Sequence, residues 1–377
     1  SYSQWIPIEN NSQPDLNPIV KILSSDDNST VVKVELPGYR LTQFNVDGKS
    51  YYSISIGDEA ITSQVGLPEI PHIAKFLAIP DHGTVSVEIL ETSKVNILNG
   101  ITIAPSQESW QEGKAESKYI EDSKFYNSGS IYPTVLASVE EPVIFRDFRI
   151  ARLSIFPIRY SPERNEIEAI SSITVRVNYG MGNGTNNKIS PRRKITPSFA
   201  KLYKSIIFNY NEVMQSRYNN LIEGHDKMLC IMPDAFVNTF QSYKNWKQKT
   251  GIEVIVKKFS DIGANGNNPE IIKNYILSFL ISSIDPPTHI LLVGDAGVAP
   301  HKDWSSPYDG YTFPNEDYFV ELDGNDYFPE MIIGRFTNQE DYRLQVMVNK
   351  FINYEKYPER INNSWYKKGI VCSNDQY

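Results

Sequence analysis

The sequence predicts a multidomain protein: an all-β sandwich or barrel, followed by an α/β domain with a mostly parallel sheet. Two observations predict it. Up to about residue 180, short runs of alternating apolar and polar residues are divided by turn clusters. From residue 226, continuous apolar runs alternate with segments of helical periodicity.

In the first part, Val31–Leu36, Val85–Ile89 and Ile173–Asn178 alternate as half-buried strands do. Asp47-Gly48, Pro80–Gly83 and Ser161–Asn165 read as the turns between them. No helix is expected before residue 195. Gly180–Lys188 is rich in glycine and asparagine and reads as a linker, followed by the basic Pro191–Lys194. Its glycines neither open a helix after a buried strand nor end in Gly-Lys-Ser/Thr, so a phosphate loop is rejected. Phe199–Tyr210 reads as a short helix or an extended arm between domains.

In the second part, Met228–Met232 is an apolar run typical of a strand buried on both faces. Asp234 is expected to cap a helix carrying Phe236, Val237, Phe240, Tyr243 and Trp246, which Gly251 closes. Ile252–Val256 is the second strand. Asn268-Pro269-Glu270 starts a helix with Ile272, Tyr275, Ile276, Phe279 and Leu280 on one face. Ile290–Val293 and Glu330–Gly334 are the third and fourth strands. Thr337 with Glu340 reads as a capping box for a helix through Phe351, and Ile370–Cys372 begins a further strand.

The chain has 377 residues, enough for two or three domains, and a formal net charge of −8. An acidic balance argues against a nucleic-acid partner, which needs a basic face. No apolar run approaches membrane-spanning length. Ser1 opens directly into polar sequence without a signal peptide, as in a cytoplasmic or already trimmed protein. Two cysteines, Cys230 and Cys372, exclude a disulfide framework, and both fall in apolar runs that suggest packed thiols.

Four phrases of the second part, in order, resemble the gingipain family of cysteine peptidases. They are Trp246–Val254, Ile290–Asp295, Gly324–Glu330 with Ile333–Phe336, and Tyr354-Glu355. Gly66–Pro71 and Ala78–Pro80 are similar to that family's N-terminal propeptide. The resemblance implies a caspase-like subdomain behind a β-rich propeptide. The implied division is 1–195 propeptide, 196–217 linker and activation junction, and 218–377 the first, incomplete α/β subdomain.

The resemblance also implies a secreted or cell-surface bacterial zymogen that hydrolyses protein or peptide substrates with a Cys–His dyad. The family's His-Gly context and the cysteine after a later strand have no counterpart in the second part, so the dyad is expected beyond Tyr377. His72, His82, His225, His289 and His301 read as solvated or structural. Asp375 matches a carboxylate that would orient the catalytic imidazole. Arg217-Tyr218 matches the activation cleavage point, with Arg192-Arg193 as a competing exposed site. Asp295, Asp326, Phe328 and Glu330 match a structural calcium site, a hard cation's shell of carboxylates and a carbonyl. The propeptide is expected to lie over the active-site cleft. Arg146, Arg149, Arg152 and Arg159 are candidates for a basic inhibitory side chain, or simply a solvated strand face. Two other activities fit the same sequence: a sortase-like transpeptidase of the family, and a non-catalytic binding or adhesion protein.

Overall fold

The computed structural model describes residues 2–8, 16–108, 118–190, 193–217, 224–264, 268–305, 312–359 and 364–370. The first part is built from antiparallel strands, as its alternation requires. Ile19–Ser25, Ser29–Glu35, Ser172–Gly180 and Thr84–Thr92 form one sheet in that order. Ala137–Val139, Phe148–Ile155, Pro71–Ile79 and Ala60–Ile61 form another, with Val143–Phe145 also paired to Phe148–Ile155. Their inward residues, among them Val32, Val34, Ile173, Val175 and Val177 from one and Ile73, Leu77, Leu153 and Ile155 from the other, share a single apolar core. Two three-stranded sheets close a second core around Leu41, Ile54, Tyr160 and Ile167.

One helix does precede residue 195. Ser123–Tyr126 is a single turn made by Asp122, whose carboxylate accepts the Lys124 and Phe125 N–H groups at 2.9 and 3.2 Å. Four residues carry no periodicity, so the sequence pattern could not announce it. The segment after residue 195 is helical: Pro197–Ile206, with proline at its first turn, then Tyr210–Arg217.

The second part holds a four-stranded, all-parallel sheet in the order Glu253–Lys258, Lys227–Met232, His289–Val293, Ile332–Phe336. Side chains alternate across a strand, and Lys227–Met232 feeds two cores accordingly. Met228, Cys230 and Met232 face helices Val237–Lys249 and Asp341–Lys356. Leu229 and Ile231 face helix Pro269–Ser282. Burial on both faces is why these strands read as unbroken apolar runs.

Three local expectations are corrected. Asp234 lies in a 3₁₀ turn, Asp234–Phe236, and its carboxylate accepts the Ser260 hydroxyl (2.5 Å) and N–H rather than capping the following helix. The Thr337–Glu340 box does not form, because the helix begins at Asp341 with Glu340 itself as an N-cap lacking a side-chain bond. The fourth strand starts at Ile332, not Glu330, because the Glu330 N–H is already bonded to the Val320 carbonyl. Ile370 is exposed irregular chain, and the rest of the expected fifth strand, Cys372 included, lies outside the described residues.

Candidate functional sites at the meeting of the two parts

The β part touches the α/β part where the parallel strands begin. Before Lys227, Gly224 N–H donates to the Ile195 carbonyl, and the Ser198 hydroxyl donates to Asp226 at 2.7 Å. Before His289, the Ile284 carbonyl accepts the Lys194 N–H. Before Ile332, the Asp326 carboxylate accepts the Ile144 N–H at 2.8 Å, and the Phe328 ring packs 5.6 Å from both Phe76 and Phe145. In doubly wound sheets ligands gather at the opposite, carboxyl ends of the strands. The contacts described above lie at the amino ends of the strands.

Arg146 and Asp147 form the two-residue tip between Val143–Phe145 and Phe148–Ile155, where Phe145 pairs with Phe148. Arg146 has φ +49°, a left-handed conformation costing a non-glycine residue about 1–2 kcal/mol. Its buried guanidinium donates to the Glu330 carbonyl (2.7 Å) and the Pro287 carbonyl (3.2 Å), and lies 4.5 Å over the Phe199 ring. Beside it, the Tyr203 hydroxyl donates to Asp147 at 2.7 Å. Burial drives the Asp147 carboxyl upward, opposed by Arg146 and by the Tyr203 hydrogen bond.

The idea of a solvated arginine face fails for half of its members. Arg149 is buried like Arg146, donating to the carbonyls of Pro80, Gly83, Thr185 and Asn186 at 2.7–3.1 Å. It fastens the Gly180–Lys188 stretch to the sheet, so the linker is a bound segment. Arg152 and Arg159 are part-exposed and pair with Glu140 (3.0 Å) and Glu168 (2.7 Å). Arg193 is buried too, donating to the Arg146 carbonyl at 3.0 Å, which removes it as an exposed cleavage site, and Arg192 lies outside the described residues.

Of the four residues matched to calcium, the structure brings three together. Asp326, Phe328 and Glu330 share one loop. Glu330 is fully buried, with one carboxylate oxygen accepting the Leu322 and Asp323 N–H groups at 2.7 and 3.0 Å. Its other oxygen, Oε1, and Asp323 Oδ2 are buried without hydrogen-bond partners. Burial, chiefly, pushes the Glu330 carboxyl up to about 8. Asp295 is elsewhere. Its N–H bonds the Asn338 carbonyl past the carboxyl end of His289–Val293, whereas Ile332 N–H bonds Thr288 at the amino end. At about 3.3 Å per residue the two ends are roughly 15–20 Å apart. Asp295 instead accepts Gln339 and its neighbour's N–H, which hold its carboxyl below the usual range. Among the described residues no group of three His, Cys, Asp or Glu side chains is arranged to hold a metal.

Arg217 is the last residue of helix Tyr210–Arg217, while Tyr218 and Asp375 lie outside the described residues. Cys230 is buried in mid-strand, and burial pushes its thiol well up. His72 packs on Phe156 and His289 accepts or donates to Thr288, and burial lowers both imidazoles. His301 sits 3.4 Å from Asp303, while His82 and His225 are exposed. Among the described residues no histidine is bonded to Cys230. Sequence reasoning missed Asn186 and Tyr203. Asn186 donates to the Pro142 carbonyl at 2.9 Å and accepts the Asn325 N–H at 3.1 Å, across the meeting of the parts. Its signal was an asparagine in a turn-rich stretch, here with φ +46°.

Two of the sequence phrases converge: Glu355 accepts Trp246 Nε1 at 2.7 Å and Lys247 Nζ at 2.5 Å. The family model "Propeptide_C25" matches residues 10–218, and "Peptidase family C25" matches residues 223–377. The chain belongs to peptidase family C25 and carries that family's propeptide. Gingipain R2 of Porphyromonas gingivalis is 25% identical over 344 residues, covering 90% of this chain and 45% of the relative. Lys-gingipain of the same species is 24% identical over 347 residues, covering 89% of this chain and 20% of the relative. This C25 chain thus spans less than half the length of these curated relatives. Among solved structures, the complex of the P. gingivalis RgpB pro- and mature domains aligns with TM-score 0.46 and 22% identity, covering 51% of this chain and 97% of that one. Gingipain K, in a structure concerned with its zymogenic latency, aligns with TM-score 0.42 and 21% identity over 48% of this chain and all of the other.

Proposed function

We propose that the chain is the N-terminal portion of a secreted or cell-surface cysteine endopeptidase zymogen. Residues 1–217 are its propeptide, a β-sandwich with a helical arm, and residues 218–377 begin its caspase-like peptidase domain. The observation that carries this is the tandem match of propeptide and peptidase models, meeting between residues 218 and 223. In such an enzyme a histidine takes the cysteine's proton, and the thiolate attacks the scissile carbonyl. The same imidazole then returns the proton to the leaving amine. Cys230 is unsuited to that role, since a thiol buried in mid-strand reaches no substrate and resists ionisation. The dyad is assigned to sequence beyond residue 377, and Asp375 to orienting its imidazole.

Activation is assigned to cleavage after Arg217, the last residue of helix Tyr210–Arg217. The full-length gene product is expected to convert to a form beginning at Tyr218 and to hydrolyse peptide substrates, with loss of activity on thiol alkylation. N-terminal sequencing with a peptide-hydrolysis assay checks this. A mature form starting elsewhere overturns the junction, and a full-length protein without thiol-dependent hydrolysis overturns the enzyme.

Calcium is assigned to the Asp323–Glu330 loop without Asp295. The two partnerless buried carboxylate oxygens, of Asp323 and Glu330, supply hard donors on the chain segment that also offers the Phe328 carbonyl. Removing calcium with a chelator is expected to lower the melting temperature by about 5 °C, as for a ligand near a hundredfold above its Kd. An unchanged melting curve counts against the site.

A further inference from the structure

Two propeptide arginines cross the boundary, and their partners there are backbone carbonyls. Arg146 Nη1 donates to Pro287 and Glu330, and Nη2 lies 3.5 Å from the Pro286 carbonyl. Arg193 Nη2 lies 3.5 Å from the Leu280 carbonyl, and its Nη1 donates to the Arg146 carbonyl, tying the two together. Both side chains are buried. Leu280 is within the last turn of helix Pro269–Ser282, whose terminal carbonyls lack helical partners and carry partial negative charge. Pro286, Pro287 and Glu330 lie two or three residues before strands His289–Val293 and Ile332–Phe336 and likewise turn their carbonyls outward, toward the propeptide.

We propose that Arg146 and Arg193 are the anchors that keep the propeptide on the peptidase part once the junction between them is cut. This rests on the reading of residues 1–217 as a propeptide. The planar guanidinium fork suits several carbonyls converging from different loops, which a lysine ammonium cannot span from one position. Arg146 holds a left-handed backbone conformation that an asparagine or glycine would adopt more easily. Burial shields the contacts from mobile ions, and their partners are dipoles, so the association is only weakly salt-dependent.

The test places a site for a sequence-specific protease between Arg217 and Gly224 of the full chain, and cuts there. No peptidase activity of the chain is needed, so its result is independent of whether the parent protein is an enzyme. Dissociation of the cut chain is followed by dilution and size-exclusion chromatography. The wild-type pieces are expected to stay together, with affinity changing less than threefold between 0.1 and 1 M NaCl. Arg146→Lys and Arg146→Asn are expected to weaken association at least tenfold, and Arg193→Lys about threefold. Arg164→Ala, in an exposed turn, is expected to leave it within twofold. Uncut variants are first compared by circular dichroism, and Arg146→Lys, which keeps charge and reach, decides if Arg146→Asn does not fold. Association of both Arg146 variants within twofold of wild type overturns the proposal. So does a tenfold loss of wild-type affinity in 1 M NaCl, which would assign the hold to long-range charge.

Discussion

Arg149→Ala is expected to destabilise the propeptide by about 4 kcal/mol and to open residues 181–190 to proteolysis. The guanidinium donates to four carbonyls from two separate loops, Pro80 and Gly83 on one and Thr185 and Asn186 on the other. Charged hydrogen bonds of this kind are worth about 1.5–3 kcal/mol each, but the sum is reduced because water reaches some of the released carbonyls. Gly184 adds a steric reason for the tight fit: a Cβ there would lie 1.8 Å from the Gly83 carbonyl oxygen and 2.9 Å from Arg149 Nη2. Arg149→Lys should recover less than half of the loss, because one ammonium cannot bridge both loops. Chemical denaturation and mapping of protease cuts check both effects. A loss below about 1 kcal/mol with no new cuts would mean the loops hold themselves together.

A comparable loss, about 4 kcal/mol, is expected for Tyr203→Ala, with about 2 kcal/mol for Tyr203→Phe. The ring sits in an aromatic cluster, 5.1 Å from Phe145, 4.8 Å from Phe148, 5.5 Å from Phe199 and 6.0 Å from Tyr210. Its removal leaves a cavity beneath the helical arm, a type of loss that typically costs 3–5 kcal/mol. The phenylalanine variant keeps the packing but takes a charge-assisted hydrogen bond from Asp147 in a buried setting. Urea denaturation of the two variants separates the packing contribution from the hydrogen bond. Equal losses would show that the hydroxyl, not the ring, matters. A further space beside this cluster, about 230 Å³ and lined by Phe145, Phe199, Leu202, Met331 and Ile333 among others, shows how the arm, the sheet tip and the peptidase part share one apolar boundary.

What could be read in the sequence was what repeats. Alternation fixed strands such as Ser172–Gly180 to within a residue or two, and the unbroken run at Met228–Met232 announced burial on two faces. Single contacts were not legible. Asp234 and Thr337 have good capping chemistry, yet a nearby serine took the first carboxylate and the second helix started later. Asp295 and Glu330 look equally placed at strand boundaries. Sequence order puts one after its strand and the other before its own, but only the parallel register shows that they lie at opposite ends of the sheet. Arg146 and Arg149 alternate with apolar neighbours as exposed residues do. Their burial depends on carbonyls contributed by segments 36 to 184 residues away.

Asn209 has a consequence for the order in which the chain acquires structure. Its side-chain amide accepts the Ala78 N–H at 2.7 Å and donates to the Ala78 carbonyl at 2.9 Å, while Phe208 N–H bonds the Phe76 carbonyl. The arm thereby completes the free edge of strand Pro71–Ile79 with partners that all precede residue 217. During synthesis or export, everything this edge needs emerges before the first peptidase strand does. The propeptide can finish folding while the slower, non-local parallel sheet is still being made. That sheet then forms against a surface already in place, carrying the donors its strand-preceding carbonyls lack.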